Sequence, residues 1–432
     1  MSRVWARFDD LRSGRAIAFR RPRRILAARA PEAVPRVLEQ AERATAGGEW
    51  AVGYLAYEAA PGLDPRLVAR PQSADDPPVA WFALCADPVR VAPVGARPAA
   101  GPVSATWRPD RVPAEYRADV ERVRQRIATG EVYQCNLTAA VAGRVDGDLR
   151  AFYRDLACAQ GGAHNAYLDI GTHVVVSASP ELFFERRGPD VLFTPMKGTA
   201  RRGRDAREDR ARVAALRADP KERAENVMIV DLIRNDVARV GEIGSVRVSE
   251  LLRVERYGTV LQMTSDVRAR LRPDVSLVEL FAAVFPSGSV TGAPKIAAMR
   301  LVRELERRPR GVYCGCIGHI APGEPARARF AVAIRTAVVD RRTRVARYGT
   351  GAGITWASDP VAEQEEIVCK TAVLATADRG MLREPGRDGV VRAHPASLEP
   401  ESSLARVCPA ADRGGSSQLT SQALTFRRRQ LD

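Results

Sequence analysis

The sequence predicts an α/β (α+β) protein, with strands and amphipathic helices mixed along one long chain. Three observations predict it. The 432 residues leave room for one large α/β unit or for two to three ordinary domains. Hydrophobic content of 45% and charged content of 28% suit a soluble globular chain with a substantial core. Short apolar runs bounded by charged turns alternate with segments of helical period.

Taken in order, "EWAVGYLAYEAA" (49–60) and "PPVAWFALCA" (77–86) read as strands or buried segments, and "VAPVGARPAAGPVS" (91–104) as a linker. Tyr116, Val120, Val123 and Ile127 recur at helical spacing, Gly130 stops that helix, and a strand follows at 132–141. "HVVVSASPELFFERR" reads as two strands around a turn at Pro180. "PKERAENVMIVDLIRNDVARVG" reads as a long amphipathic helix closed by Gly241. "RARFAVAIRTAVVD" and "VARYGTGAGITW" read as strands joined by a short charged turn. Residues 1–105 form an N-terminal subdomain in this reading, 115–375 a second, larger domain, and 376–432 a disordered tail rich in Pro, Gly, Ser and Arg.

Composition narrows the function classes. No apolar run reaches the roughly 18 residues that span a membrane. The basic N-terminus has no continuous apolar segment, so neither signal peptide nor anchor is expected. Seven scattered cysteines predict reduced thiols in a cytoplasm. Cys314 and Cys316 are too close for a zinc half-site, and there are only four histidines. The formal charge of +15 invites a nucleic-acid reading. However, the arginines are spread over the chain, mixed with 52 acids and not interleaved with aromatics. Of 67 basic residues only four are lysines: Lys197, Lys221, Lys295 and Lys370. Lysine can give up its proton where arginine does not, so these positions suit amine chemistry; chance is the alternative.

Four stretches carry candidate chemistry. In "DPVAEQEEIVCK", Glu363, Glu366 and Lys370 share one helical face, and carboxylates one turn apart suit Mg²⁺. A solvated face with Glu366–Lys370 as an i,i+4 pair is the simpler reading of that stretch alone. Glu225 heads the apolar run VMIV, with Lys221 as its i−4 neighbour. "FPSGSVTGAPK" leads small residues, Ser289 among them, into a helix N-terminus that could face an anion. "YGTGAGITW" has glycines that let a ligand approach the backbone.

In this order, "PMKGTA", "AENVMIVDLIRND", "FPSGSVTGAPK", "IRT", "GTGAGI" and "EQEEIVCK" resemble the chorismate-binding enzymes over about 115–375. "RFDD" and "GYLAYEA" also look like the shorter aminodeoxychorismate synthase component I members. The resemblance implies an anthranilate-synthase-like fold, a two-subdomain β-sandwich flanked by helices. It implies Mg²⁺ held by Glu225, Glu363 and Glu366. It implies substrate contacts from Gln134, Gly198, Thr199, Ser289, Tyr313, Arg335, the backbone at Gly351, Ala352 and Gly353, and Lys370. Glu181 of "SASPELF" matches the general acid for the departing 4-hydroxyl.

The residue before "GT" separates subtypes in this family: alanine in anthranilate synthases, lysine in aminodeoxychorismate synthases. This chain has Lys197. The resemblance implies that its amine adds at ring C2 and that ammonia, from a separate glutamine amidotransferase subunit, then adds at C4. The product would be 4-amino-4-deoxychorismate, toward p-aminobenzoate and folate. Anthranilate synthase component I is the rival reading. Gln134 stands where isochorismate-forming relatives carry a lysine base, which argues against water as nucleophile. Leu261 and Gln262 stand where many relatives carry a histidine linked to pyruvate elimination. No cysteine sits in a G-x-C-x-G turn, so no glutaminase nucleophile is expected in this chain.

Overall fold

The computed structural model describes residues 5–95, 104–257, 260–323 and 326–376. The predicted tail from 377 onward lies outside the described residues. Within them, two ten-stranded sheets carry the fold. Every strand pairing described is antiparallel.

The first sheet is built around strand Gln134–Asp146, which pairs along its length with Val345–Ile354. Thr336–Asp340, His173–Ser179, His164–Asp169, Ala6–Asp10, Arg15–Phe19 and Val89–Val91 follow in spatial order. All seven residues of His173–Ser179 are buried, as its β-branched run dictates. The second sheet runs Met196–Arg201, Val260–Arg270, Asp190–Thr194, Leu182–Arg187, Arg327–Val332, Cys316–Ala321, Trp50–Leu55, Ala80–Cys85 and Pro22–Ala28. Strands from residues 6–91 thus share both sheets with strands from the rest of the chain.

Residues of both sheets meet in one apolar layer that includes Phe19, Tyr54, Trp81, Leu168, Val175 and Ile317. The second sheet packs its Phe184, Phe193 and Phe330 against helices Val34–Ala46, Pro220–Ala238 and Leu277–Val284, where Phe281 completes an aromatic cluster. The first sheet is backed by helix Leu149–Gln160 on one stretch. On another it is backed by helices Pro113–Ala128, Lys295–Leu305 and Pro360–Cys369. Buried aromatics of this size dominate core energetics.

Two sequence readings change. The run 327–340 is not one strand: Arg327–Val332 belongs to the second sheet and Thr336–Asp340 to the first. Arg335 makes the crossing with a left-handed φ of 51°. The long helix ends at Ala238, not at Gly241, whose N–H donates to the carbonyl of Val237 at 2.9 Å.

Candidate active site

A cavity of about 830 Å³ opens where Met196–Arg201, Val345–Ile354 and helices Pro220–Ala238 and Pro360–Cys369 converge. Each element is set by local chemistry. Asp219 caps the first helix through the N–H of Glu222 and Asp359 caps the second through Val361 and Ala362. The free carbonyls at the end of the second helix are gripped by the strands below it. Arg335 Nη1 and the Tyr348 hydroxyl donate to the carbonyl of Lys370 at 2.7 and 3.2 Å, and the Thr350 hydroxyl donates to that of Ile367 at 3.1 Å.

Three of the four lysines, Lys197, Lys221 and Lys370, line this cavity. The fourth, Lys295, is tied to Asp236 at 2.7 Å and is not among the lining residues. Lys197 sits on the floor. A Cβ on Gly353 would meet Lys197 Nζ at 2.8 Å and Gln134 Nε2 at 2.6 Å, so glycine leaves the amine and the amide their space. Gln134 is buried, and its Oε1 has no hydrogen-bond partner among the described residues. Gly198 turns the chain after the lysine with a φ of 94°, and a Cβ there would meet the Glu222 carboxylate and Met263 Cβ, each at 3.1 Å.

Glu181 stands in the wall, 3% exposed, and accepts a 2.6 Å hydrogen bond from the Ser289 hydroxyl. Burial pushes its carboxyl up to about 7, against the opposing pull of Ser289 and Lys197. It is therefore poised to hold and give a proton near neutrality.

The opposite rim is carboxylate-rich. Glu222 and Glu225 come from one helix, Glu363 and Glu366 from the other. Burial, then the charge of Glu225, raises Glu222 to about 7. Burial raises Glu363 too, against a 2.6 Å hydrogen bond from Ser358 and with Glu366 and Glu225 adding to it. Burial also opposes ionisation of Glu366, but Lys370, Lys197 and Lys221 outweigh it and hold that carboxyl below the usual range. Lys370 bonds Glu366 at 2.5 Å and the carbonyl of Gly351 at 2.7 Å. Burial lowers its own pKa, with Arg335 and Lys197 adding to the effect and Glu366 opposing it.

Of the remaining expected residues, Thr199, Tyr313, Arg335 and Gly351 line the cavity. The side chain of Ala352 faces the other way, into the apolar cluster under the helices, which leaves only its backbone near the site. The helix that begins at Lys295 does not bring its N-terminus to the cavity; that segment contributes Ser289 and Val290 instead. Lys221 lies 3.8 Å from Glu363, the one ion pair it makes among the described residues, where none joins it to Glu225. Gln262 faces the cavity and donates to the Thr199 hydroxyl at 2.9 Å, whereas Leu261 is buried in a separate apolar cluster.

Two participants escaped the sequence reading. Glu222, an acid in the first turn of its helix, carries no motif of its own. Asn226, 1% exposed, holds the carbonyl of Lys197 at 3.4 Å while accepting from the Ser265 hydroxyl at 2.6 Å. Its place in the "AEN" of the long helix was the available signal.

The chorismate binding enzyme family matches residues 93–376. The chain belongs to the chorismate-binding enzymes. Curated members of the family match over about two thirds of this chain. Anthranilate synthase component 1 of Aquifex aeolicus is 38% identical over 271 residues, 63% of this chain and 54% of that protein. Aminodeoxychorismate synthase of Streptomyces griseus is 41% identical over 289 residues, 64% of this chain and 39% of that protein. The chain thus spans about half or less of the length of these two relatives. Crystalline anthranilate synthase component I from Streptococcus pneumoniae superposes with a TM-score of 0.71 at 25% identity, over 87% of this chain and 93% of that one. Both sheets and the flanking helices are accordingly anthranilate-synthase-like. Among the described residues no helix is long and apolar enough to cross a membrane.

Proposed function

We propose that this chorismate-binding enzyme is a component I type aminodeoxychorismate synthase. It would convert chorismate and ammonia to 4-amino-4-deoxychorismate, toward p-aminobenzoate and folate. The observation that carries the reading is the amine of Lys197 on the cavity floor, beside an amide, Gln134, that has no basicity to activate water.

The chemistry follows from those two ends of the cavity. The neutral amine of Lys197 attacks ring C2. The two ring double bonds shift, the C4–O bond breaks, and the hydroxyl leaves as water with a proton from Glu181. Ammonia then adds at C4, the double bonds return, and the C2–N bond breaks to release the lysine amine. Arginine, protonated throughout, could not take the first step. Asn226, by gripping the lysine carbonyl, fixes the direction of attack.

Mg²⁺ is the cofactor of this reading. Like charges crowd the rim: Glu222 and Glu363 are both raised by burial and by neighbouring carboxylates, a tension that a cation relieves. Among the described residues no three acidic, histidine or cysteine side chains form a ready ligand set. That suits Mg²⁺, which takes one or two protein carboxylates and completes its shell with water and ligand oxygens. Of Glu225, Glu363 and Glu366, one or two would hold it directly, with the rest and Glu222 beside it, and the ion would neutralise a substrate carboxylate. The ammonia source is a separate glutamine amidotransferase subunit, and the site of work is the cytoplasm.

Relatives of both subtypes match at similar identity, so anthranilate synthesis is the second reading. Purified chain with chorismate, Mg²⁺ and ammonium salt separates them. A product that needs a lyase to yield p-aminobenzoate is expected; fluorescent anthranilate formed directly would overturn the assignment.

A further inference from the structure

Lys221 is electrostatically misplaced as a helix residue. It is the second residue of Pro220–Ala238, at the positive end of the helix dipole, where acids are favoured and cations are not. In a chain whose other positive charge is almost all arginine, an unfavourably placed lysine calls for a compensating role. The carboxylate rim supplies it. Lys221 lies 3.8 Å from Glu363, close enough for an ion pair but too far for a hydrogen bond. It comes from one helix and meets a carboxylate of the other, and Glu222, Glu225 and Glu366 line the same cavity. Lys370 is different: it is locked by short bonds to Glu366 and to the carbonyl of Gly351. The Lys221 side chain is 44% exposed and its tip makes no hydrogen bond among the described residues, so it is free to swing into solvent on its long stem.

We infer that Lys221 is a resident counter-cation: its ammonium neutralises the glutamate rim while no metal is bound, and a divalent ion entering the rim displaces it. The inference rests on the reading of Glu225, Glu363 and Glu366 as the Mg²⁺ site. Its consequence is a trade. The lysine steadies the metal-free rim and weakens metal affinity, because binding must first break its attraction to Glu363 and its neighbours. A metal site with a built-in competitor lets go of its ion readily between turnovers.

The test is isothermal titration of Mg²⁺ into the full chain, without chorismate, for wild type, Lys221→Met, Lys221→Gln, Lys221→Arg and Glu225→Gln. Neutralising one charge a few ångströms away in a solvent-screened site should tighten Mg²⁺ binding about fivefold or more in the Met and Gln variants. Lys221→Arg, which keeps the charge, should stay within about twofold of wild type. Thermal melts in chelator should show the two neutral variants less stable than wild type, with Mg²⁺ closing the gap. Equal or weaker binding by both neutral variants overturns the inference alone. Failure of wild type to bind Mg²⁺, or undiminished binding by Glu225→Gln, overturns the metal reading and this inference with it.

Discussion

Among the clusters of acids and bases in the described residues, the one around Arg310 and the one in the cavity are built in opposite ways. In the first, Arg310 is buried between layers. It donates to both carboxylate oxygens of Glu306, at 2.9 and 2.7 Å, and to the carbonyls of Val290 and Asn136, at 2.6 and 2.7 Å, while its guanidinium lies 4.4 Å from the Tyr57 ring centre. Glu306 also accepts from the Thr138 N–H and hydroxyl, and Glu58 accepts from the N–H groups of Arg310 and Gly311. In the second, the cavity, Lys197 and Glu225 make no hydrogen bond through their charged ends among the described residues, and Lys221 makes one long ion pair. A saturated polar network holds a fold in one arrangement, while an unsaturated one is kept for something that is not part of the chain. The choice of base follows: the fork of arginine where each guanidinium nitrogen has a fixed partner, the single amine of lysine where chemistry and exchange are wanted.

The sharpest way to break that contrast is to put arginine at the floor of the cavity. Lys197→Arg and Lys197→Ala should each lose roughly a thousandfold or more of turnover at low ammonia, about 4 kcal/mol of barrier. High ammonia should partly restore the alanine variant by direct attack. Intact-mass spectrometry with chorismate should find an adduct on wild type that Lys197→Ala lacks. Retention of most activity by Lys197→Arg would reduce the lysine to a charge.

The converse experiment removes the base from the saturated cluster. Arg310→Met leaves Glu306 buried without its main partner, a change that costs about 3–5 kcal/mol. Urea melts should show a lower midpoint with little change in slope. A shift equivalent to less than about 1 kcal/mol would mean that the network is not what holds these layers.

Glu181 lies between the two types, fully buried yet facing the cavity. Its folded pKa of about 7 stands above the ordinary carboxyl value of 4.5. The folded chain therefore keeps a proton that the unfolded chain releases. The stability this contributes is complete below 4.5 and is lost as pH rises through 7, about 3 kcal/mol in all. Glu181→Gln should reduce the fall in melting temperature over that window, with Glu58, raised by burial to about 8, and Glu222, raised to about 7, supplying most of the slope that remains. An unchanged pH profile of stability in the variant would show that Glu181 titrates normally.

Glu225→Gln and Glu366→Gln come next in size. Each should lower turnover about a hundredfold at limiting Mg²⁺, roughly 2.7 kcal/mol, with melting temperature nearly unchanged. Near-normal rates across a Mg²⁺ titration would remove these residues from the metal site.

The sequence revealed the parts of the cavity that lie on continuous stretches. Glu363, Glu366 and Lys370 were legible because helical spacing puts them on one face. Lys197 stood out because lysine is rare in this chain. What stayed hidden depends on partners far away in the chain. Arg335 breaks an apparently continuous strand only because it takes a left-handed turn and grips the carbonyl of Lys370, 35 residues on. Glu306 and Arg310 stand only four residues apart, but the backbone N–H of Arg310 bonds Glu58 across 252 residues, so most of that cluster leaves no local pattern. Asn226 reads as a helix interior residue until Ser265, 39 residues later, is seen to orient its amide toward the lysine. Local period carries the face of a helix but not the identity of what that face meets.

The smallest effect should come from Gln262, which tests how far the unsaturated character of the cavity extends. Its amide donates one bond, to the Thr199 hydroxyl, across paired strands Met196–Arg201 and Val260–Arg270. A neutral hydrogen bond at an open rim contributes about 0.5–1.5 kcal/mol. Gln262→Ala should therefore raise the chorismate KM by no more than about tenfold and leave kcat and the product unchanged, because the amide neither donates nor removes a proton in the proposed steps. Product analysis is the decisive measurement. Should the alanine variant begin to release pyruvate, the retention of the enolpyruvyl group would rest on this side chain, and the rim would have to be counted as part of the chemistry and not as its frame.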